Sequence, residues 1–146
     1  MIRNATPADV LGALGADGDF GSITAELTDK IAPGVAKTEN CLIHINSNGD
    51  IDGFVITSVE SFYGRDFIRL LAVSSSHRRL GIGSTLLNTA LTKATSEIVF
   101  TSTNESNLPM RALLEREGWI LSGILTGLDE GDPELVFRRQ RLSTSS

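Results

Sequence analysis

The chain has 146 residues, of which 40% are hydrophobic and 21% are charged, and its formal net charge at pH 7 is −5. These proportions are typical of one globular domain and exclude a fibrous repeat or a disordered chain. The single cysteine, Cys41, excludes an internal disulfide and a cysteine-rich zinc site. The acidic charge argues against nucleic acid as a partner, because binding to phosphates requires a basic face.

The sequence also predicts where the protein resides and how far its domain extends. No apolar run reaches the roughly 18 residues that a membrane span requires, and the N-terminal residues 1–5 lack the apolar core of a signal peptide. We therefore expect a cytoplasmic protein that does not contact a membrane. We expect one domain over residues 1–142 and a disordered tail over residues 143–146.

The first part of the chain is predicted to form a short strand and two helical segments. Residues 2–6 have a strand pattern, and a helix is expected to begin near Thr6, because Pro7 is favoured in a first turn. A glycine-rich segment, residues 15–21, separates this helix from a second helical pattern over residues 22–31. The helical pair is a candidate wall of a substrate cleft.

Three strands are predicted to follow as a meander. Residues 41–45 and 51–59 are β-rich, and the Asn48-Gly49 pair between them is a strong hairpin signal. A further strand over residues 66–73 is expected to pair antiparallel with the second one through a turn at residues 63–65.

Side-chain alternation predicts which residues share a face of the strand over residues 66–73, which is the fourth strand along the chain. On a regular strand, Phe67, Arg69 and Leu71 share one face, and Asp66 and Ile68 share the other. Neither face carries a glutamate.

The second half of the chain alternates helices with strands. An amphipathic helix follows Gly83, and its apolar residues recur at the 3.6-residue period: Leu86, Leu87, Ala90, Leu91 and Ala94. A short buried strand over residues 98–101 and a helix over residues 107–117 come next, and Gly118 fits the left-handed residue that ends a helix. Residues 119–124 and 134–138 are predicted strands. The fold class is therefore α/β or α+β, with a mixed, mostly antiparallel sheet of about six to seven strands and helices on both faces.

The segment Arg78-Arg79-Leu80-Gly81-Ile82-Gly83 lies between an apolar strand and a helix. Glycines at this point let the main chain approach an anion, and the N–H groups of the next helix point at it. A dinucleotide-binding site would require a third glycine at position 86, where this chain has Leu86. A nucleoside-triphosphate loop would require a lysine that is absent here. The pattern therefore predicts a pyrophosphate site of another kind.

The chain resembles the GNAT-type N-acetyltransferase superfamily at these residues. Its signature, [RQ]-x-x-G-x-[GA] between the fourth strand and the next helix, is matched by Arg78, Gly81 and Gly83. A second match is independent of the first, because Asn107 opens the following helix and Gly118-Trp119 closes it at the family's spacing. The resemblance covers nearly the whole chain.

The resemblance implies binding of acetyl-CoA as co-substrate. The pyrophosphate would lie on the N–H groups of residues 79–84, and the pantetheine arm would lie where the fourth and fifth strands separate, with Asn107 on its far side. No metal is implied. The residues implied to contact acetyl-CoA are Leu71, Ala72, Val73, Arg78, Arg79, Leu80, Gly81, Ile82, Gly83, Ser84, Asn107 and Met110.

The implied reaction is direct attack of a primary amine on the thioester. The amine must lose a proton to a base, and Glu60 and Tyr63, at the turn before the fourth strand, are the candidates in this sequence. Many relatives carry a tyrosine, thought to protonate the leaving thiolate, where this chain has Leu114. A thiol with a pKa of about 8.5 also leaves as a reasonably stable thiolate without such an acid.

Four acids lie in residues 128–135, between the last two predicted strands. In the family, this turn often borders the acceptor site, so Asp129 and Glu130 are candidates to attract a cationic amine. Gly131 and Pro133 break the oxygen spacing of a calcium loop.

Two functions therefore remain open. The first is N-acetylation of a small molecule or peptide, and the alternative is a non-catalytic CoA-binding regulatory module of the same fold. Pairing of two copies through the C-terminal strands is a candidate homodimer contact.

Overall fold

A computed structural model describes residues 1–5, 9, 39–74 and 81–143. The helices predicted within residues 6–31 lie outside the described residues, as do Arg78, Arg79 and Leu80. The described elements are β1 (Ile2–Asn4), β2 (Glu39–Ile45), β3 (Ile51–Phe62), β4 (Arg65–Val73), α1 (Ile82–Lys93), β5 (Ile98–Asn104), α2 (Leu108–Arg116), β6 (Ile120–Leu125) and β7 (Glu134–Gln140). No described helix is long and apolar enough to cross a membrane.

The seven strands form one sheet in the order β1-β2-β3-β4-β5-β7-β6. All described neighbours run antiparallel except β4 and β5, which are parallel. The predicted mixed, mostly antiparallel sheet is therefore confirmed. Several strands extend beyond their predicted ends because pairing with a neighbour prolongs them: β5 continues to Asn104, opposite Glu134 of β7.

Buried side chains form one cluster on each face of the sheet. On one face, Cys41 and Ile43 of β2 pack with Phe54 and Ile56 of β3 and Ala72 of β4. The larger cluster lies on the other face, where strand residues pack with both described helices. Its members are Leu42, Val55, Ile68, Ile82, Leu86, Leu87, Ala90, Leu91, Val99, Leu114, Trp119, Leu135 and Phe137. The predicted apolar face of α1 therefore builds the core.

Strand β4 contains a β-bulge that the alternation rule did not predict. Ile56 pairs with Leu70, and the next residue of β3, Thr57, pairs with Ile68, so Arg69 is an extra residue. Consequently Ile68 and Leu71 pack on the same face, with the helices, whereas Leu70 packs on the other face with Ala72. The predicted separation of Ile68 from Leu71 is wrong, because one inserted residue shifts the side-chain period.

Helix α1 lies unusually close to the sheet at Gly53. A Cβ at this position would lie 2.9 Å from Leu86 Cδ1, 3.0 Å from Ile82 Cγ2 and 3.2 Å from the main-chain oxygen of Ala72. Only a residue without a side chain allows this approach.

We predict that Gly53→Val lowers the free energy of unfolding by about 1–3 kcal/mol, because the added methyl groups force α1 away from the sheet. Urea denaturation measures this change. The matched control is Gly123→Val, where an added Cβ meets nothing within 4 Å. Equal stability of the two variants would contradict the prediction.

Candidate active site

Strands β4 and β5 pair over only a short distance and then separate. Their parallel register joins Asp66 with Val99, Phe67 with Phe100 and Ile68 with Thr101. At the last pair, the Thr101 hydroxyl donates a hydrogen bond to the Ile68 carbonyl at 2.8 Å. Beyond it, β4 continues along β3 and β5 continues along β7. The two strands therefore bound a gap, which we call the β4–β5 gap, between residues 69–73 and 102–104.

Helix α1 begins beside the open end of this gap. Its N-cap, Gly81, has φ 79° and ψ 7°, a left-handed conformation that glycine adopts without strain. The Gly81 carbonyl accepts hydrogen bonds from the Thr85 N–H at 3.0 Å and the Thr85 hydroxyl at 2.8 Å. No side chain caps the helix, and its first turn contains no acidic residue. The N–H groups of the first turn and the positive end of the helix dipole therefore suit an anion.

Gly83 lies where α1, β4 and α2 meet. A Cβ there would lie 3.5 Å from Leu113 Cδ2, 3.7 Å from Val73 Cγ2 and 3.9 Å from Leu71 Cδ2. A Cβ at this position would therefore make ordinary van der Waals contacts with side chains of both β4 and α2. The structure thus brings together three of the predicted cofactor residues, Leu71, Val73 and Gly83. Ile82 is buried beneath them in the core.

Helix α2 borders the same region. Asn107 is its N-cap, and the Asn107 Oδ1 accepts a hydrogen bond from the Met110 N–H at 3.2 Å. The Met110 side chain packs partly against the core. Leu114 is 0% exposed and belongs to the core cluster, so it contributes no polar group. Asn107 therefore caps a helix, and this role leaves its amide nitrogen as a donor.

The loop between β6 and β7 is tied to the end of β5. Asn104 Nδ2 donates to Asp129 Oδ2 at 2.9 Å, and Ser106 donates to Asp132 through its N–H at 3.1 Å and its hydroxyl at 2.6 Å. A cavity of about 630 Å³ is lined by this loop, including Asp129 and Glu130. Two of the loop's acids are therefore engaged in structural bonds, whereas Glu130 is exposed.

The two candidate bases lie away from the gap. Glu60 and Tyr63 belong to the β3–β4 hairpin, at the opposite end of β4 from α1. Tyr63 is 93% exposed, and its ring contacts Phe62 edge-on with centroids 5.1 Å apart. Asp66, nearby and buried, uses its carboxylate to accept bonds from Glu60 N–H and from Thr95. The hairpin position gives no support to a base role for Glu60 or Tyr63, which stays a prediction.

Glu117 links the two helices and was not singled out in the sequence. Its carboxylate accepts hydrogen bonds from the Ser84 hydroxyl and, at 3.2 Å, from Asn88 Nδ2, while Arg139 Nε donates to its main-chain oxygen at 2.8 Å. The bond from Ser84 and then that from Asn88 lower the pKa of Glu117, and the charges of Arg116 and Arg139 act in the same direction. Because Ser84 and Glu117 are 33 residues apart, no local pattern could reveal this contact.

Among the described residues, no group of three or more His, Cys, Asp or Glu side chains could hold a metal ion.

We predict a pH-dependent stability contribution from Glu117. Because its folded-state pKa lies below the ordinary value of 4.5, the ionised carboxylate stabilises the fold above that value. This contribution is lost as the pH falls through the folded-state pKa. The stability advantage of wild type over Glu117→Gln should therefore be full at about pH 7 and shrink below about pH 4.5, as measured by urea denaturation across a pH series.

The matched control is Glu115→Gln, an exposed residue in the last turn of α2. It should show no comparable change of its stability difference with pH. A Glu117→Gln difference that stays constant across the whole series would contradict the prediction.

Comparison with known proteins identifies the family. The model of the Acetyltransferase (GNAT) family matches residues 17–119. A GNAT-family acetyltransferase from Bacillus cereus is 32% identical, with 97% of each chain covered and a TM-score of 0.85.

Two more distant structures share the fold. The ribosomal-protein-alanine N-acetyltransferase of Brucella melitensis is 19% identical, with 96% of this chain and 99% of that chain covered and a TM-score of 0.74. A Bacillus anthracis structure, assigned as a streptothricin acetyltransferase in complex with acetyl coenzyme A, is 18% identical. The match covers 70% of this chain and 62% of that chain, with a TM-score of 0.64.

A search among curated proteins gave no significant match. The family model nevertheless spans more than half of the chain, and the Bacillus cereus protein matches nearly all of it at 32% identity. This chain belongs to the GNAT family of acetyltransferases.

Proposed function

We propose that this protein is an N-acetyltransferase that transfers the acetyl group of acetyl-CoA to the primary amine of a small molecule or peptide. Membership of the GNAT family supports acetyl transfer in general. The observation that carries the more specific proposal is the uncapped N terminus of α1 beside the β4–β5 gap. We further propose that residues 1–142 form a single acyltransferase domain.

The first part of the proposal is the binding of the donor. The N–H groups of residues 81–84 would hold the pyrophosphate, since no side chain or acid of the first turn competes for them. Arg78, Arg79 and Leu80, which lie outside the described residues, would complete this contact. The solved relative in complex with acetyl coenzyme A supports this choice of ligand.

The pantetheine arm would occupy the β4–β5 gap. An extended chain with amide groups can pair with an unused strand edge as a further strand does. The main chain of Leu71, Ala72 and Val73 lies on one side of this gap, beyond the last parallel pair at Ile68 and Thr101. Asn107 and Met110 of α2 would contact the arm from the other side.

Acetyl transfer would proceed by attack of the neutral amine nitrogen on the thioester carbon. The C–N bond forms, the C–S bond breaks, and the sulfur leaves as a thiolate that is reasonably stable, because a thiol has a pKa of about 8.5. The amine proton passes to a base or to water, since a free alkyl amine has a pKa of about 10. A main-chain N–H of β4 would stabilise the oxyanion.

The acceptor would approach from the β6–β7 loop. Asn104 ends β5, at the edge of the gap, and holds Asp129 of this loop. Asp129 and the exposed Glu130 would give the entrance a negative potential, which attracts a cationic amine. A relative that acetylates ribosomal-protein alanine supports an amine acceptor in this fold.

The alternative is a CoA-binding module without catalysis, which is favoured by the buried Leu114 and by the distance of Glu60 and Tyr63 from the gap. Calorimetry with CoA and a thiol-release assay with acetyl-CoA and a panel of amines separate the two. Tight binding with thiol release on any amine supports the enzyme. Binding without release on the whole panel supports the module, and absence of binding removes both.

We predict that Gly83→Glu weakens CoA binding by about 100-fold or more, because it adds a negative charge at the turn proposed to hold the pyrophosphate. Isothermal titration calorimetry measures this loss.

Two control variants test whether the loss of binding comes from the charge at position 83, from the added size there, or from any added charge on α1. Gly83→Ala should bind nearly as wild type, since its Cβ makes only ordinary contacts of 3.5–3.9 Å. Thr89→Glu adds the same charge farther along α1 and should also bind. Wild-type affinity in Gly83→Glu would rule out the pyrophosphate contact.

We also predict that Glu130→Gln raises the KM for a cationic amine about two- to fivefold, with kcat nearly unchanged, because an exposed charge acts on the approach of the substrate. The effect should shrink at high salt. Steady-state kinetics with Glu97→Gln, which removes an exposed acid elsewhere, provides the control. An equal effect in both variants would point to net charge rather than to this loop.

A further inference from the structure

We propose that the closed end of the β4–β5 gap limits the acyl group of the donor to a short one such as acetyl, and that Phe67 and Phe100 determine this specificity. The inference rests on the proposed binding of CoA in the gap and adds the selection of the acyl group. The closed end consists of the last parallel pair, Ile68 and Thr101, and of an aromatic cluster formed by Phe62, Phe67 and Phe100.

The direction of the donor in the gap follows from the position of α1. Gly83, in the first turn of α1, lies beside Val73 and Leu71, near the end of β4 where β5 has already separated. A donor whose pyrophosphate is held there extends along β4 towards Ile68, and its acyl group is the part that reaches the closed end. At about 3.3 Å per residue, residues 69–73 give the gap a length of roughly 16 Å. The strands therefore fix the length that is available to the arm and its acyl group.

The gap is closed within the plane of the sheet. Ile68 and Thr101 pair in parallel register, and the Thr101 hydroxyl donates a hydrogen bond to the Ile68 carbonyl at 2.8 Å. Both residues are 2% exposed, and Ile68 belongs to the core cluster that packs with α1 and α2. Because a packed core has no free space, a longer acyl chain cannot continue between the strands or turn towards the helices. It can turn only to the opposite face of the sheet.

The aromatic cluster lies on that opposite face. Phe67 and Phe100 are a cross-strand pair directly before the last pair, so both rings project away from the helices. The Phe62 ring packs against both, with centroid distances of 5.1 Å to Phe67 and 5.0 Å to Phe100. Tilted rings at such distances attract one another. The three rings are half-buried and form one connected group at the closed end.

The aromatic cluster therefore limits the space for the acyl group. An acetyl group has one carbon beyond its carbonyl and requires the least room at the closed end. Each further methylene must displace a ring of the cluster or draw the pyrophosphate away from α1, and either change weakens binding. Removing the ring of Phe67 or Phe100 should open space for a longer chain.

The experiment measures the dissociation constants of CoA, acetyl-CoA and butyryl-CoA by isothermal titration calorimetry with the full chain, which requires no acceptor. Wild type should bind CoA and acetyl-CoA with similar affinity and butyryl-CoA at least about tenfold more weakly. Phe100→Ala and Phe67→Ala should bind CoA as wild type does. Both variants should bind butyryl-CoA within about threefold of CoA, because the space beside the closed end is no longer filled.

The matched control is Ile98→Ala. Ile98 is a half-buried apolar residue of β5 on the same face as Phe100, two residues farther from the gap. This variant also removes apolar volume, but it should keep the wild-type preference against butyryl-CoA. Phe100→Leu and Phe67→Leu retain an aliphatic side chain and replace any alanine variant that fails to bind CoA. They should tighten butyryl-CoA binding at least about threefold.

The binding of CoA separates this inference from the proposed function. Wild type that binds no CoA would overturn the proposed function and, with it, the inference. Wild type that binds CoA and butyryl-CoA equally well would overturn the inference alone. Variants at Phe67 and Phe100 that bind CoA normally and still discriminate against butyryl-CoA would also overturn it, as would an equal relaxation in Ile98→Ala.

Discussion

The structure depends on the way β4 divides its pairing between two neighbours. It pairs with β3 from Arg65 to Val73, with one register shift at Arg69 and a second between Ser58 and Phe62 of β3, but with β5 only as far as Ile68. A parallel pair requires a crossover connection, so the chain must leave β4 at Val73 and return to the start of β5 through a helix. The N terminus of α1 must therefore lie at the end of β4 where β5 has already separated. The β4–β5 gap and the helix end that borders it are consequences of one topology.

The electrostatics of this region are local rather than global. The protein is acidic, with a net charge of −5, yet an anion at α1 would be held by main-chain N–H groups at hydrogen-bond distance. Charges farther away than about 8 Å are largely screened at physiological salt. The carboxylate of Glu117, at the end of α2, is already hydrogen-bonded to Ser84 and Asn88 of α1. The acids of the β6–β7 loop lie at the end of β5 instead. The two sides of the gap thus differ in chemistry, which suits an anionic donor and a cationic acceptor.

Local patterns predicted most of the described elements. The Asn48-Gly49 hairpin, the leucines of α1 and the Asn107 cap each depend on residues close in sequence, so the sequence alone predicts them. Contacts between distant elements could not be predicted in this way. The bulge at Arg69 is set by the register of β4 against β3, and it moved Ile68 to the face of Leu71. Likewise, the buried Asp52 carboxylate bonds to His44 Nδ1 at 2.6 Å across two strands, and neither residue has a distinctive local pattern.

The candidate site shows the same division between local and distant information. The glycines and Asn107 were identified because each has a defined local role at a helix end. Glu60 and Tyr63 directly precede β4 in the sequence, but they lie at the Arg65 end of this strand, whereas the gap begins beyond Ile68. A base must lie close to the reacting nitrogen. The order of the strands along the sequence does not give this distance.

The sheet leaves strand pairing incomplete at two places, and their surroundings differ. The β4–β5 gap lies within the sheet, between strands that are already paired on their outer sides, and it is bordered by α1 and α2. A space bounded in this way can admit a narrow extended chain but not another folded protein. The outer side of β6 has no described strand beside it, and the side chains of Ile120, Leu121, Ile124 and Leu125 are exposed there. Unpaired strand edges therefore occur in two settings in the described sheet, and the one between β4 and β5 is enclosed by paired strands on both sides.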